Sequence, residues 1–524
     1  MSAAEYLANH LERPLGRGHV PAGAFAGAAG GAACGDLIRI SIALEPDSPD
    51  GCIADAGFDA SGCGASIAAG SAVVGLVRGI PLLEAASIGV EEIARELGGL
   101  SAAKRHAAEL AADALHRALG GAVRASAALA PAEGRTLVAM SGGVDSAVAA
   151  LLVTRAGGQA VGVTLELWSD QENDGEASCC SAQAVRGARE VAHDLGMAHL
   201  SIDLRAEFRA GVVDPWLSDH GAGETPNPCV RCNGNVRLDA MLELAGRLGA
   251  QTLATGHYAR ISEAPPAHGL SASGPLVPGP PVPSSFAPGL VALGPPAPDL
   301  PAPGPPAPLL RTATDPGKDQ SYVLAALAPE SLARLRFPLG GMRKTEVREL
   351  AAAADLAVAR RRDSQDLCFL AGTRQGAFLE RHGGLGERPG KIVDQQGSVL
   401  GEHGGAYTFT VGQRHGLGIG GGDPLYVLAT DTHANTVTVG PRAELLCARV
   451  RVREVTLHRD GSCVDAVKVR SRGRALPCRL AGQALAGRHE HVSVDLEEPA
   501  ERTAPGQFAC LYAGEVIVGY GTVA

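Results

Sequence analysis

From Thr136 onward, short apolar runs alternate with stretches of helical spacing, and no other feature narrows the possible folds as far. TLVAM, AVGVTLEL, HLSIDL and TLATGHY read as strands, while residues 146–156, 181–195 and 236–248 read as helices. A strand followed by a helix and another strand favours parallel pairing, because the crossover helix carries the chain back to the edge where the first strand began. The expected core of this region is a doubly wound parallel sheet.

The rest of the chain does not share that rhythm. With 524 residues, it is long enough for three or four domains of roughly 150 residues each. Residues 35–60 (LIRISIALE, then CIADAGFDA) alternate apolar and polar positions as antiparallel strands do, and 64–80 and 101–119 have helical spacing. After about residue 390, LYVLAT, TVTVG, ARVRVREVTL, HVSVDLE and EVIVGYGTVA form short strands between Gly-rich turns, as in a small barrel or sandwich. The chain is thus expected to be multidomain: an α+β domain over 1–125, an α/β domain with a parallel sheet over 133–345, a connecting region over 346–435, and a small C-terminal β-barrel over 436–524. Gly120-Gly121 and the Ala-rich stretch to Pro131 read as the first boundary. Residues 264–308 hold 16 of the 34 prolines and a single charged side chain, Asp299. Such a segment cannot build a packed core and reads as an insertion looped out between ordered flanks.

Composition excludes several classes. No uncharged apolar run in the sequence reaches the roughly 18 residues needed to span a bilayer. The opening MSAAEYLANHLERPLG lacks a basic stretch followed by an apolar one, so a cytoplasmic location and no membrane partner are expected. The 46 basic residues against 56 acidic ones give a net charge of -10, so a nucleic-acid partner needs a local basic surface. Between 442 and 479 ten basic residues face four acidic ones. There Lys468, Arg470, Arg472 and Arg474 alternate as though on one strand face, suited to an RNA backbone. Twelve cysteines in a long chain without an export signal read as catalytic, metal-binding or buried rather than as a disulfide framework.

The TLVAM strand runs through Ser141-Gly142-Gly143-Val144-Asp145-Ser146 directly into an apolar helix. Amides at a helix N-terminus bind anions, glycines let the backbone approach phosphate oxygens, and the two serines supply hydroxyls. No Lys-Ser or Lys-Thr follows, so this is not the Walker loop. Further on, Thr225-Pro226-Asn227-Pro228-Cys229-Val230-Arg231-Cys232-Asn233 stiffens its approach with two prolines and sets two thiols two residues apart. Alone, that pair fits half a zinc site, a redox pair or two bystanders. Cys368 follows the basic run Arg360 to Arg362, where positive charge favours a thiolate. Cys52, Cys179, Cys180, Cys447, Cys463, Cys478 and Cys510 read as structural.

SGGVDS resembles the loop of the PP-loop ATP pyrophosphatases, which adenylate a carbonyl-type oxygen, release pyrophosphate and let a nucleophile displace AMP. With TPNPCVRCN, LATGHYAR, DPGKDQSY, RRDSQDLCF and TVGQRHGLGIGG following in order, residues 135–524 outside the proline-rich insertion resemble the tRNA-specific 2-thiouridylases of the MnmA family. The resemblance implies ATP on Ala139, Met140, Ser141, Gly142, Gly143, Val144, Asp145, Ser146, Leu165 and Gly256, with Asp145 helping to hold Mg2+ and phosphate. It implies Cys232 as the nucleophile and Cys368 as the persulfide carrier. Asn227, Pro228 and Cys229 would border the target base, and Lys318, Asp319, Gln320, Arg470 and Ser471 would also meet tRNA. A wobble base in a loop is extruded at low cost. A cysteine desulfurase or other sulfur donor is the implied protein partner. Where this chain has Cys229 the family often has aspartate, a carboxylate available for proton transfer. The extra thiol lets Cys229, Cys232 and Cys368 be read instead as ligands of a [4Fe-4S] cluster with one iron open to sulfide. Persulfide and cluster chemistry both stay open at this level.

Residues 1 to about 120 resemble the NifU/IscU iron-sulfur scaffolds through Ala33-Cys34-Gly35-Asp36, Ser61-Gly62-Cys63-Gly64 and Lys104-Arg105-His106. The resemblance implies Cys34, Asp36, Cys63 and His106 as a mixed ligand set for zinc or a labile cluster, with Ala107 standing where the scaffolds carry a third cysteine. The reading that results is an ATP-dependent tRNA-uridine 2-sulfurtransferase whose tethered scaffold delivers sulfur or a cluster. The alternative is an iron-sulfur or sulfur carrier with a regulatory nucleotide domain and no RNA chemistry. An amide synthetase would need an ammonia source, and no glutaminase-like segment is recognised.

Overall fold

The computed structural model describes residues 3–30, 35–170, 181–262, 307–363, 367–370, 372–420 and 423–524. Cys34, Cys179, Cys180 and residues 263–306 of the proline-rich segment lie outside the described residues.

In the N-terminal unit, Phe25–Gly30, Leu37–Leu44 and Ile53–Ser61 pair antiparallel in that order. The middle strand realises the alternation seen in the sequence: Ile38, Ile40 and Ile42 are fully buried on the side covered by the helices Gly64–Val77 and Arg105–Ala125. After Phe25, the first strand, FAGAAG, carries only alanine and glycine to announce it. Its small inward positions have a purpose, because a side chain at Gly27 would collide with Ala114 O and hold the long helix off the sheet.

The second unit has the expected parallel sheet, five strands in the spatial order Leu335–Arg336, Thr252–Ala254, Thr136–Ala139, Ala160–Glu166, Ala198–Asp203. The strand that comes first in the chain is central, so later strands add to one side of it and then to the other. Loops leaving two such strands diverge and open a crevice at their carboxyl ends. Here those ends are Ala139, which enters the glycine-rich loop, and Ala254, which enters Thr255-Gly256-His257.

Arg105–Ala125 belongs to both units, touching the antiparallel sheet and the edge strand Ala198–Asp203, and one hydrophobic core runs through both. Gly120-Gly121, read above as a boundary, lie inside this helix. A side chain at Gly120 would collide with Ser201 O, so glycine there sets a close approach and not a break. Polar contacts seal the junction. His116 sets its ring between Ile88 O (2.9 Å) and His199 O (2.7 Å), Arg117 pairs with Glu166 through two nitrogens (2.9 and 3.0 Å), and Asp113 meets Arg186 and Arg189 at 2.8 Å each.

In the C-terminal region, Val399–His403, Gly390–Val393, Thr436–Gly440 and Tyr426–Asp431 form a four-stranded sheet. Beyond it, Leu446–Leu457, Gly487–Glu501, Leu476–Leu480, Ala466–Lys468, Phe508–Ala513 and Val516–Val523 pair in turn, and the last returns to the first to close a six-stranded barrel. Closure removes the free sheet edges. The flanks of the proline-rich segment, Arg260–Ile261 and Leu310–Arg311, pair with each other and join the barrel at Val516. The basic alternation is corrected here: the strand ends at Lys468, and Arg470 to Gly473 form a turn in which Gly473 N donates to Arg470 O at 3.0 Å. Between Val469 and Ala475 no apolar residue is present to hold a buried strand face. Cys478 and Cys510 are core residues as expected, whereas Cys463, at the end of the Gly461–Cys463 turn, is exposed. Among the described residues no helix is long and apolar enough to cross a membrane.

Candidate active site

A cleft of about 800 Å3 opens at the carboxyl ends of the central parallel strands. Ala139, Ser141, Gly143, Val144, Asp145, Ser146 and Gly256 line it, together with Pro228, Cys229, Cys232, Cys368, Lys318, Asp319, Gln320 and Ser471. Segments spread over more than 300 residues thus face one cavity.

Local chemistry shapes the loop. Gly142 has a left-handed φ of 70°, and a Cβ there would stand 2.6 Å from Ala184 O. The Ser146 hydroxyl accepts from Ser141 N (3.2 Å) and donates to Gly143 O (3.0 Å), holding the loop folded over the start of the Val144–Arg155 helix. Gly256 closes the other side, since a Cβ would meet Asp145 C and Ser146 N at 2.7 Å. Met140 and Leu165 do not line the cleft; their side chains are buried in the core beneath.

A network that the sequence reading did not single out surrounds the loop carboxylate. Asp145 Oδ1 accepts from Tyr258 OH (2.8 Å) and Lys344 Nζ (2.7 Å). Lys344 also pairs with Asp363 (2.9 Å), which holds Lys318 (2.6 Å) and Arg348 (2.8 Å) as well. Burial works against ionising Asp363, but hydrogen bonds from Lys318 and Lys344 outweigh it and hold the carboxyl at about 2. Burial and the Asp145 charge push the Tyr258 phenol well up, so it acts as a donor. Arg361, from the basic run before Cys368, donates to Gly142 O at 2.9 Å and ties that run to the glycine-rich loop.

The thiols sit on two differently built supports. Asn227 caps a short helix, its Oδ1 accepting from Cys229 N at 3.1 Å, and Pro228 occupies the first helical position. The chain then widens into a π-helical segment, Cys232–Arg237. Burial raises the Cys229 thiol, with the charge of Arg237 opposing. Cys368 opens a single turn, Cys368–Leu370, anchored by the neighbouring Phe369. That ring packs 5.2 Å from both Trp216 and Phe378 and 6.1 Å from Phe208. In a chain with only 3% aromatic residues, both tryptophans join this cluster.

The remaining residues divide. Gln320 exchanges two hydrogen bonds with the Tyr258 backbone, and Asp319 caps Ser321 and faces Lys468 at 3.8 Å, so both brace the cleft wall. Ser471 reaches the cleft, whereas Arg470 turns to a second cleft on the barrel, beside Arg442 and Arg474, and donates to Arg502 O at 3.1 Å. In the N-terminal unit, Asp36, Cys63 and His106 form the one set of three potential ligands, among the described residues, whose donor atoms all lie within 4.8 Å of one another. Asp36 Oδ2 accepts from Ser66 (2.6 Å), Cys63 (3.1 Å) and His106 (3.2 Å), and these bonds, Ser66 first, hold its carboxyl far below the usual range.

Residues 134–273 and 305–372 match the family described as tRNA methyl transferase HUP domain. Residues 4–123 match the NifU-like N terminal domain, 376–441 the tRNA methyl transferase PRC-barrel domain, and 449–523 the Aminomethyltransferase beta-barrel domain. The chain is 39% identical over 528 residues to the "Bifunctional protein NifU/MnmA" of Rubrobacter xylanophilus, an alignment covering 98% of this chain and 97% of that protein. It is 38% identical over 397 residues to the "tRNA-specific 2-thiouridylase MnmA" of Geobacter metallireducens (74% of this chain, 96% of the relative). The protein of that name from Roseiflexus castenholzii is 38% identical over 398 residues (74% and 99%).

Proposed function

The chain belongs to the bifunctional NifU/MnmA family, in which a NifU-like domain precedes an MnmA-type enzyme, and on that premise we propose that it replaces the 2-oxygen of a wobble uridine in tRNA by sulfur, using ATP. One observation carries the reading: the phosphate loop and the thiols of Cys229, Cys232 and Cys368 line the same cleft. A carbonyl activated at the loop then meets sulfur without its reactive adenylate being released to water.

Uracil O2 attacks the α-phosphorus; an O–P bond forms, the bond to pyrophosphate breaks, and N3 passes its proton to water. C2 now carries AMP as a leaving group. The terminal sulfur of a persulfide on Cys368 attacks C2, and the C2–O bond breaks with its electron pair leaving on AMP. The Cys232 thiolate then attacks the Cys368 sulfur, forming a Cys232–Cys368 disulfide and leaving sulfur on the base, where N3 regains a proton. The disulfide is two electrons more oxidised than the thiols. Each turnover therefore draws on an external dithiol reductant and on a sulfur donor such as a cysteine desulfurase.

ATP fits the loop: Gly142 takes a left-handed turn that a side chain resists, Gly143 and Gly256 line the cleft without side chains, and a Cβ at Gly256 would press on Asp145 C and Ser146 N at the helix start. Asp145, whose contacts with Tyr258 and Lys344 both fall on Oδ1, is the carboxylate that would hold magnesium, which supplies charge neutralisation to the triphosphate. A second reading is favoured by Cys229, which adds a third thiol to the cleft: the three would hold a [4Fe-4S] cluster, which supplies an iron that binds sulfide. Asp36, Cys63 and His106 would hold zinc or a labile cluster in the scaffold unit, consistent with a role in sulfur supply.

The test is anaerobic. Full-length protein, ATP, magnesium, cysteine with a cysteine desulfurase, and unthiolated tRNA are combined, and nucleosides are read by mass spectrometry. The wild type is expected to yield 2-thiouridine, and Cys368→Ser and Cys232→Ser to yield none. No product from the wild type would transfer support to the carrier reading, and activity that tracks bound iron would select the cluster.

A further inference from the structure

Two polar groups on the thiol-bearing wall have no hydrogen-bond partner among the described residues. Asn233 is 6% exposed; its Nδ2 donates to Val323 O at 3.4 Å, but its Oδ1 is buried without a hydrogen bond. One turn on, Arg237 Nε is likewise buried and unpartnered. Leaving such groups unsatisfied costs free energy that a purely structural role does not return. Both residues line the cleft beside Cys229, Cys232, Gly256 and His257.

The backbone has been shaped to aim them there. Both lie on the π-helical segment Cys232–Arg237, an element rare in folded chains and frequent at functional sites. Gly234 lets it approach Ala326, 3.0 Å from where a Cβ would stand, and Gly211 makes room for Val236 at 2.6 Å.

Arg237 shares the cleft lining with Cys229 and His257, and its charge bears on both. Burial, with that charge added, pushes His257 down to about 3, so its imidazole is neutral in use. Lys318, Lys344 and Arg348 are engaged with Asp363, and Arg361 with Gly142 O. Arg237 stands apart from both sets of contacts.

Resting on the reaction above, we infer that Asn233 and Arg237 clamp the base and its leaving group in turn: Asn233 Oδ1 accepts the N3–H of the incoming uracil before adenylation removes that proton, and the Arg237 guanidinium binds the phosphate of AMP once it is attached. As sulfur attacks C2, the C2–O electron pair departs onto that phosphate and meets a positive charge already held in place. A neutral amide oxygen facing N3 also disfavours cytosine, which presents a lone pair there.

Steady-state thiolation by full-length Arg237→Gln, Arg237→Lys and Asn233→Leu tests this, with ATP and tRNA varied separately and melting temperatures recorded. Arg237→Gln is expected to lower kcat about 100-fold, with KM for ATP and affinity for tRNA held within about threefold. Arg237→Lys is expected to recover part of the rate, and Asn233→Leu to lower kcat/KM for tRNA about tenfold. A kcat for Arg237→Gln within about threefold of wild type overturns the clamp while leaving the reaction standing. So does an Arg237→Lys enzyme as slow as Arg237→Gln with the same fall in melting temperature, since that is loss of fold. A wild type that makes no thiouridine removes the reaction itself and the clamp with it.

Discussion

Asp363 illustrates how much a single residue decides and how little its sequence neighbourhood discloses. Its carboxylate joins Lys318, Lys344 and Arg348, and through Lys344 reaches Asp145 on the glycine-rich loop. With its carboxyl held at about 2, ionised Asp363 contributes about 2 kcal/mol of stability near neutral pH. Because the folded value is depressed, that contribution is full above the unfolded carboxylate range and is lost as pH falls through the folded value. Asp363→Asn is therefore expected to unfold more easily than wild type at pH 7, with the gap closing between about pH 4 and 2 in denaturation curves. SGGVDS and the two informative thiol motifs were legible because each carries its chemistry in adjacent letters. Lys344, Asp363 and Arg237 were not, because their meaning depends on partners up to 199 residues away or on a lack of partners, neither of which local spacing records.

Among the elements, the Arg105–Ala125 helix matters most. It read correctly as a helix, but its paired glycines resembled a terminator, and only the strand against Gly120 reveals why a side chain is excluded. On helix propensity alone, Gly120→Ala gains about 1 kcal/mol. The collision with Ser201 O works in the other direction, and overpacking of this kind costs about 1 to 3 kcal/mol. The variant is thus expected to melt lower than wild type, and a higher melting temperature would show that the two units are not packed as tightly as described. The strand Phe25–Gly30 and the turn after Lys468 were missed for related reasons. Alanine and glycine give no hydrophobic alternation, and alternate arginines mimic a strand where no apolar face exists to hold one.

At the scale of the molecule, the order of units was readable while their assembly was not. Periodicity separated an α+β unit, a parallel sheet and a barrel, and proline content marked the segment whose flanks pair at Arg260–Ile261 and Leu310–Arg311. What no local pattern contained is that the Arg105–Ala125 helix is shared by two sheets and that the glycine-rich loop, both thiol supports and the turn after Lys468 converge on one cleft. That convergence is the central claim, because the proposed reaction runs adenylation and sulfur transfer as successive events on one base. The most direct measurement is peptide mapping of persulfide-loaded protein after a single turnover. The account expects one Cys232–Cys368 disulfide for each 2-thiouridine formed, and none when ATP or tRNA is withheld. Thiouridine without that disulfide, or the same disulfide formed without ATP, would contradict it.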